Sequence, residues 1–444
     1  MEKSSPMLII VMLIVGLGIG GGIGYYMAPA KEIAGETVEV TVEVSPLEGK
    51  TVKVGHVASD TSAIETELPT YESIISPAIN DFVKELGYDI TFEYLVDDCQ
   101  GQAAIHLEKV QSYKAMDINL VVGGEWSSQA SAALSYVNEN NMLLFSPSST
   151  SPLLGIPDDN LYRMCPTDLV QAPAIAEMLW NWGIKAVIVI QRGDAWADGI
   201  YNILEPEFEA RGGVILEKIR YAAEATEFSS YLATAEDIAK VAVDQHGAEH
   251  VAVDMISFAA DGVPLVTQAK DYPTLYGLTW FGSDGTAMTQ QHVDDAPEVS
   301  THLVCLSTYA APAASPKFRD LNDACYALFA QPAGYYTACR VDINWAIMEA
   351  VLESQSTDAM DVIPLLDTIC FNAFGTSGWN RLNADGDRYA SNYDIWGFGY
   401  GPDGVTADHV KYGLYDGVTE QVIWYPQGVT PKGEMVPGVV PPGQ

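Results

Sequence analysis

The stretch that decides the fold comprises residues 121–154, which read VVGGEWSSQASAALSYVNENNMLLFSPSSTSPLL. An apolar run ends at Gly123-Gly124 and opens into a serine-rich turn; a helical segment follows, and a second apolar run ends in the hydroxyl-rich turn 146–151. This order predicts strand, turn, helix, strand and turn, with both turns at the carboxyl ends of strands. Ligands of open α/β sheets bind at that end, so the two turns predict a pocket for a small anion such as a carboxylate. The alternative is that the serines only cap helices and form turns.

The residues before this stretch continue the alternation of strands and helices. Strands are expected at 51–57 and 90–96, and helices at 71–86 and 102–115, with a loop at 58–70. Pro77 should either bend the first of these helices or mark its true start. A β-α-β-α-β-α-β order by residue 146 predicts a doubly wound parallel sheet.

The same pattern starts again with a helix at 168–182, which predicts a second α/β lobe. We therefore expect an α/β fold of two doubly wound parallel-sheet lobes joined by a hinge, with a ligand cleft between the lobes. The segment from Gly378 to Trp424 is rich in glycine and in strand-forming residues. The expected boundaries are 51–164 plus about 307–385 for lobe 1, 165–306 plus about 386–425 for lobe 2, and a disordered Pro/Gly-rich tail at 426–444.

The amino-terminal segment predicts attachment to a membrane. Residues 7–27 contain no charged side chain and are long enough to span a bilayer as a helix. We expect residues 1–27 to form an uncleaved signal anchor, residues 28–50 to form a linker, and the body to lie outside the cell membrane. Cleavage near Ala28-Pro29-Ala30 is the alternative, because small residues follow the apolar run.

The charge of the chain excludes two classes of partner. It has 59 acidic against 22 basic residues and a formal net charge of −37. Nucleic acids and anionic lipid surfaces both need clustered lysine or arginine, so neither is expected as a partner. The chain carries no GxSxG, Walker or HExxH motif, and no GxGxxG follows a strand, so no enzyme activity is expected. No cofactor or metal is expected either, since its cysteines and histidines lack metal-ligand spacing.

The six cysteines are compatible with disulfides outside the cell. Their connectivity cannot be deduced from the sequence. Cys325 and Cys339 are the first pair to test, because the short helix-loop-helix between them could bring the two together.

Short segments in a fixed order carry a resemblance to a known family. These segments are residues 121–123 with 127–128, 145–152, 163 with 166–168 and 171, 226–229, 281–285, and 378–379 with 383–388. Over about residues 51–425 the chain resembles the type I periplasmic binding proteins of the branched-chain amino acid (Leu/Ile/Val-binding) group, the extracytoplasmic receptors of ABC importers. The resemblance implies that the protein binds an amino acid or similar small zwitterion between its lobes and delivers it to the permease subunits of an ABC transporter.

The resemblance also implies a set of binding residues. The carboxylate-binding hydroxyl positions of the family fall on Ser127, Ser148 and Thr150, and its ammonium-binding acid falls on Asp284. Its two aromatic positions in the second lobe fall on Trp196 and Phe258, and Tyr71 is a candidate wall residue of the first lobe. The alternatives are that Asp284 is a simple turn acid and that the aromatic residues belong to the core.

Departures from the family leave the ligand open. A family disulfide would link Cys99 to the position of Trp126, so Cys99 is either free or paired elsewhere, for example with Cys165. Glu125 and Trp126 flank the binding serine, where they narrow the site or change its charge. Other amino acids, amides and urea-like solutes therefore remain candidates beside branched-chain amino acids. A ligand-sensing or structural envelope protein that reuses the same fold is the alternative function.

Overall fold

The computed structural model describes residues 45–389, 392–439 and 441–442. The expected anchor at 1–27 and most of the expected linker lie outside these residues. None of the described helices is both long and apolar enough to cross a membrane.

Two β-sheets organise the described chain. The first has five strands in the order β2-β1-β3-β4-β5, all of them parallel. Its strands are β1 Lys50–Ala58, β2 Ile90–Asp98, β3 Leu120–Val122, β4 Leu143–Ser146 and β5 Leu161–Arg163. We call the unit built on this sheet lobe 1.

The second sheet has nine strands in the order β14-β13-β12-β11-β10-β9-β8-β6-β7, and its unit is lobe 2. Strands β6 to β10 pair in parallel, whereas β10 to β14 pair antiparallel. The strands are β6 Ala186–Gly193, β7 Val214–Ala222, β8 Val251–Ile256, β9 Thr279–Gly282, β10 Leu306–Ala310, β11 Tyr393–Tyr400, β12 Ala407–Asp416, β13 Gln421–Val429 and β14 Met435–Pro437. The prediction of two α/β lobes with parallel strands is confirmed.

Helices lie between the strands and pack on the sheets. They are α1 Thr61–Thr70, α2 Ser76–Glu85, α3 Ala103–Ala115, α4 Ser127–Glu139, α5 Asp168–Trp182, α6 Ala195–Ala210, α7 Ser229–His246, α8 Ala259–Ala269, α9 Pro273–Tyr276, α10 Gln290–Asp294, α11 Pro297–Leu303, α12 Pro316–Phe329, α13 Tyr335–Ser354 and α14 Ala359–Asn372. In helix α4, for example, Ala130, Ala133 and Val137 lie at helical spacing and are fully buried, so they form the apolar face that packs on the core.

The prediction of a loop at 58–70 is wrong, since most of this segment is helix α1. Asp60 caps the helix by accepting hydrogen bonds from the backbone N–H groups of Ser62 and Ala63 at 2.8 and 3.0 Å. The helix passes through a π turn, Tyr71–Ile75, into α2, and Pro77 lies in the first turn of α2. Pro77 therefore lies directly after the π turn inside a continuous helical stretch and does not mark its start, which was one of its two expected roles.

The prediction of a disordered tail from residue 426 is also wrong for its described part. Strand β13 runs to Val429, and β14 pairs with it antiparallel through Gly428 and Val436. A turn closed by the Gly433 N–H and the Thr430 carbonyl joins the two strands, and Gly433 has a φ of +82°. The glycines and prolines of this segment thus form turns and strand ends instead of disorder.

The disulfide hypotheses are not supported, because all six cysteines are free and buried. The thiols of Cys99, Cys165 and Cys339 each lie against a backbone carbonyl, those of Ser59, Ser149 and Met164 respectively. Buried cysteines of this kind pack as small apolar side chains. Neither the Cys325–Cys339 pair nor the Cys99–Cys165 pair forms.

Candidate functional site

A cavity of about 310 Å³ lies where loops from both lobes meet. Lobe 1 contributes the loop after β3 and the turn after β4, whereas lobe 2 contributes the loops after β8 and β9 and the start of α6. These segments follow the carboxyl ends of parallel strands, the edge at which α/β folds bind ligands. The volume is at the small end of the range for ligand pockets and suits a molecule the size of an amino acid.

Five of the predicted binding residues line this cavity, and two do not. Those that line it are Ser127, Ser148, Trp196, Phe258 and Asp284. They lie up to 157 positions apart in the sequence, and the fold brings them around one cavity.

Thr150 and Tyr71 lie outside the cavity lining. Thr150 is 2% exposed, and its backbone carbonyl accepts a hydrogen bond from the N–H of Asp168 at 2.9 Å. Tyr71 is buried in lobe 1, where its hydroxyl accepts from Asn344 at 3.1 Å and its ring packs on His56. Both residues support neighbours of the site, so the prediction that they contact ligand finds no support in their positions.

The serines lie at the amino end of α4, where the backbone turns sharply. Gly124 has a φ of +65°, and a Cβ at this residue would come within 3.0 Å of Ala130, so the turn needs glycine. Ser127 is the first residue of α4, and its hydroxyl accepts from the Ser151 N–H at 3.1 Å. The proton of that hydroxyl remains available as a donor, beside the N–H groups of the first helical turn. This end of the cavity can bind an anion through neutral donors and the helix dipole.

Asp284 forms the acidic end of the cavity. Its carboxyl group accepts hydrogen bonds from the Tyr336 hydroxyl at 2.5 Å and from the Gln171 amide at 2.9 Å. Burial raises the pKa of Asp284, and burial together with the neighbouring Asp284 raises the pKa of Asp168. Burial removes the ionised carboxylate of Asp284 from contact with water. A cationic group bound at Asp284 would compensate for this loss through a charge-assisted hydrogen bond and so stabilise the carboxylate.

Three stacked aromatic rings form one wall of the cavity. Phe258 lies between Trp126 and Trp196, with ring centroids at 4.6 and 4.3 Å and interplanar angles of 15° and 11°. Trp126 belongs to lobe 1, whereas the other two rings belong to lobe 2, so the stack crosses between the lobes. The guanidinium of Arg192 lies 4.5 Å from the centroid of Phe258, which adds a cation–π contact.

A buried ionic cluster forms another wall, and sequence reasoning missed most of it. Arg340 of α13 contacts the carboxyl groups of Glu67 and Glu125 at 2.6 and 2.5 Å, and His56 Nε2 lies 2.7 Å from Glu67. All four side chains are at most 6% exposed. Burial raises the pKa of Glu125 to about 7 and lowers the pKa of His56 to about 3, so His56 is neutral at pH 7.

The same cluster is the one place among the described residues where three or more His, Cys, Asp or Glu side chains bring their ligand atoms close enough to hold a metal ion. Atoms of His56, Glu67 and Glu125 lie within 4.8 Å of one another. The guanidinium of Arg340 already contacts both carboxyl groups, so a positive charge stands where a metal ion would have to bind. The arrangement fits an ion-pair network better than a metal site.

Comparisons with known proteins agree with this fold. Residues 77–400 match the sequence pattern of a protein family described as "receptor family ligand binding region". An uncharacterised protein of Methanocaldococcus jannaschii is 26% identical over 409 residues, which is 87% of this chain and 94% of that protein.

Two solved structures illustrate the fold. A leucine-binding protein of Thermotoga maritima superposes with a TM-score of 0.66 at 16% identity, over 81% of this chain and 97% of that chain. A solute-binding protein of an ABC transporter from Rhodopseudomonas palustris, bound to 3,4-dihydroxybenzoic acid, gives a TM-score of 0.65 at 17% identity, over 83% and 98% of the two chains. Because the family pattern spans well over half of the sequence, the protein belongs to the receptor ligand-binding-region family, the type I periplasmic binding proteins.

Proposed function

We propose that the protein is the extracytoplasmic solute-binding receptor of an ABC importer, which closes its lobes on a small amino-acid-type zwitterion and delivers it to a permease. One observation carries the proposal. The cavity has neutral anion donors at one position, Ser127 and the start of α4, and a buried carboxyl group, Asp284, at another.

The chemistry of a zwitterion explains why both groups are needed. An amino acid loses most of its hydration in a closed cleft, so each of its charges needs a directed partner there. The hydroxyl groups of Ser127 and Ser148 and the N–H groups of α4 suit the α-carboxylate. Asp284 suits the α-ammonium through a charge-assisted hydrogen bond. The stack of Phe258 with its two tryptophans covers the bound molecule as the lobes meet.

Solved structures of this fold support the class of ligand without fixing it. The Thermotoga maritima protein is named for leucine, whereas the Rhodopseudomonas palustris protein binds an aromatic acid. An aromatic acid would use the ring wall and the anion donors here, but it would leave Asp284 without a cationic partner. This is the reason for preferring a zwitterion.

Membrane attachment is part of the same proposal. Residues 7–27 supply an uncharged segment long enough to hold the receptor beside its permease. Fractionation of cells that express the full chain, with and without residues 1–27, tests this point. We expect the full chain in the membrane fraction and the shortened chain in the supernatant. Full-length protein in the supernatant would contradict anchoring.

The binding proposal is tested by calorimetry. The full chain is first screened by thermal shift against the twenty amino acids, simple amides, urea, benzoate and 3,4-dihydroxybenzoate, and the hits are then titrated. Ser127→Ala and Asp284→Asn should each weaken binding of the best hit by about 5- to 150-fold, since each leaves a desolvated charge unpaired at about 1–3 kcal/mol. The exposed controls Ser230→Ala and Asp295→Asn lie outside the cavity lining and should leave Kd unchanged. Wild-type affinity in the Ser127→Ala, Asp284→Asn double variant would refute the site.

A further inference from the structure

Part of the buried cluster of His56, Glu67, Glu125 and Arg340 lines the cavity beside the groups assigned to the α-carboxylate and α-ammonium. Glu67, Glu125 and Arg340 all contribute to its surface. They come from α1, the loop after β3 and α13, so three separate elements of the chain converge on one point. A wall that only had to cover an aliphatic side chain would not need this cluster, because buried ion pairs rarely stabilise a protein more than apolar residues of the same volume.

Arg340 has hydrogen-bonding capacity that its protein neighbours do not use. Both hydrogen bonds of its side chain leave from Nη2, one to Glu67 and one to Glu125. Among the described residues, Nε and Nη1 have no acceptor, and Nε is buried. A guanidinium that is 5% exposed carries five N–H donors, and unpaired donors at this depth are costly. The cluster therefore offers a donor to a group on the ligand.

The charges of the cluster select the kind of group. Arg340 contacts two carboxyl groups, and Glu125 is only about half ionised at pH 7 because burial raises its pKa to about 7. Burial likewise raises the pKa of Glu67, whereas His56 is neutral. An anionic group would place a third carboxylate beside this one guanidinium, and a cationic group would face Arg340. A neutral group that both accepts and donates hydrogen bonds meets neither repulsion.

We propose that the ligand is an amino acid whose side chain ends in a neutral carboxamide or ureido group. Its carbonyl oxygen accepts from Arg340 Nη1, and its N–H groups donate to the carboxyl groups of Glu125 and Glu67. This inference rests on the proposed function, since it assumes that Ser127 and Asp284 hold the α-carboxylate and α-ammonium. It assigns Arg340 and Glu125 as the residues that set specificity.

The first test measures the ligand selectivity of the wild-type full chain, so it does not depend on the folding of a variant. Calorimetry compares L-glutamine, L-asparagine and L-citrulline with L-glutamate, L-lysine and L-norleucine. We expect one of the first three to bind at least tenfold more tightly than each of the last three, because a site built to hydrogen-bond rejects a ligand that leaves its polar groups unpaired. Equal or tighter binding of norleucine or glutamate would overturn the inference and leave the proposed function intact. Failure of every amino acid to bind would instead refute the proposed function.

The second test reverses the preference. The double variant Arg340→Leu, Glu125→Leu replaces the ion pair with apolar side chains and leaves Glu67 paired with His56. We expect it to lose at least tenfold in affinity for the amide and to bind norleucine more tightly than the wild type does. The control Arg211→Leu, Glu177→Leu removes an ion pair of 3.0 Å outside the cavity lining and should keep the wild-type order. Retention of the amide preference by the first double variant would overturn the assignment.

Discussion

The stack of Trp126, Phe258 and Trp196 makes a prediction about closure of the lobes. Trp126 lies on lobe 1 and packs on Phe258 of lobe 2, with centroids 4.6 Å apart, so their contact exists only when the lobes meet. A stacked aromatic pair contributes about 0.5–1.5 kcal/mol beyond the area it buries. Removal of the pair should therefore weaken ligand binding by about 2- to 13-fold, because the closed conformation binds ligand and loses that stabilisation.

A double-mutant cycle measures this contribution. Trp126→Ala and Phe258→Ala are made singly and together, and Kd is measured by calorimetry with the best ligand of the panel. We expect a coupling energy of about 1 kcal/mol between the two positions. The control is the Trp196–Phe258 pair, which is stacked at a similar distance of 4.3 Å but lies within lobe 2. We expect the coupling energy of this pair to appear in the free energy of unfolding.

The refuting result is specific. If the effects of Trp126→Ala and Phe258→Ala on Kd simply add, the two rings do not act as a contact between lobes. Small-angle X-ray scattering of the wild type and the variants, at a ligand concentration that half-saturates the wild type, gives an independent check. Loss of the cross-lobe pair should raise the radius of gyration, and no change in either variant would contradict a closing role.

Three further predictions concern stability and cysteine chemistry. Asp387→Ala should lower the free energy of unfolding by about 3–5 kcal/mol in urea titrations, because it leaves the charge of the fully buried Arg163 unpaired. Asp387 is the bidentate partner of Arg163, with contacts of 2.5 and 2.6 Å. A loss under about 1 kcal/mol would contradict this prediction. Burial raises the pKa of Asp254 to about 7, so the folded protein loses stability as pH rises from about 4 through 7. Asp254→Asn should remove up to about 4 kcal/mol of that loss. Parallel curves of unfolding free energy against pH for the variant and the wild type would contradict this prediction. A thiol reagent should label the six cysteines only after unfolding, and a reductant should leave the melting temperature unchanged; a drop on reduction would show a disulfide.

The segments with a strong apolar pattern were predictable, and those built around buried polar residues were not. Strands β3 and β4, which form the core of this stretch, are buried along their whole length, so their apolar runs are unambiguous. Helix α1 instead buries Glu67 and Thr70, which leaves no apolar period to detect. Its segment was therefore predicted as a loop, and the candidate site lost one of its acids.

The partners of the missed residues explain why sequence reasoning stopped there. Arg340 contacts Glu67 across 273 positions, and Tyr336 reaches Asp284 across 52. A single sequence carries no signal for such pairings, since each residue looks like an ordinary helix residue. Ser127 could be proposed because it follows a predicted strand and its turn, a position that topology places at the binding edge. Asp284 was assigned through the resemblance to the binding-protein family.

The measurement that tests the central claim most directly is a crystal structure of the protein with the best ligand of the panel. We predict electron density in the cavity between the lobes, with the ligand carboxylate at Ser127 and the amino end of α4, and the ammonium on the carboxyl group of Asp284. Density for the ligand at any other place, or a bound ligand whose charged groups contact neither Ser127 nor Asp284, would contradict the account.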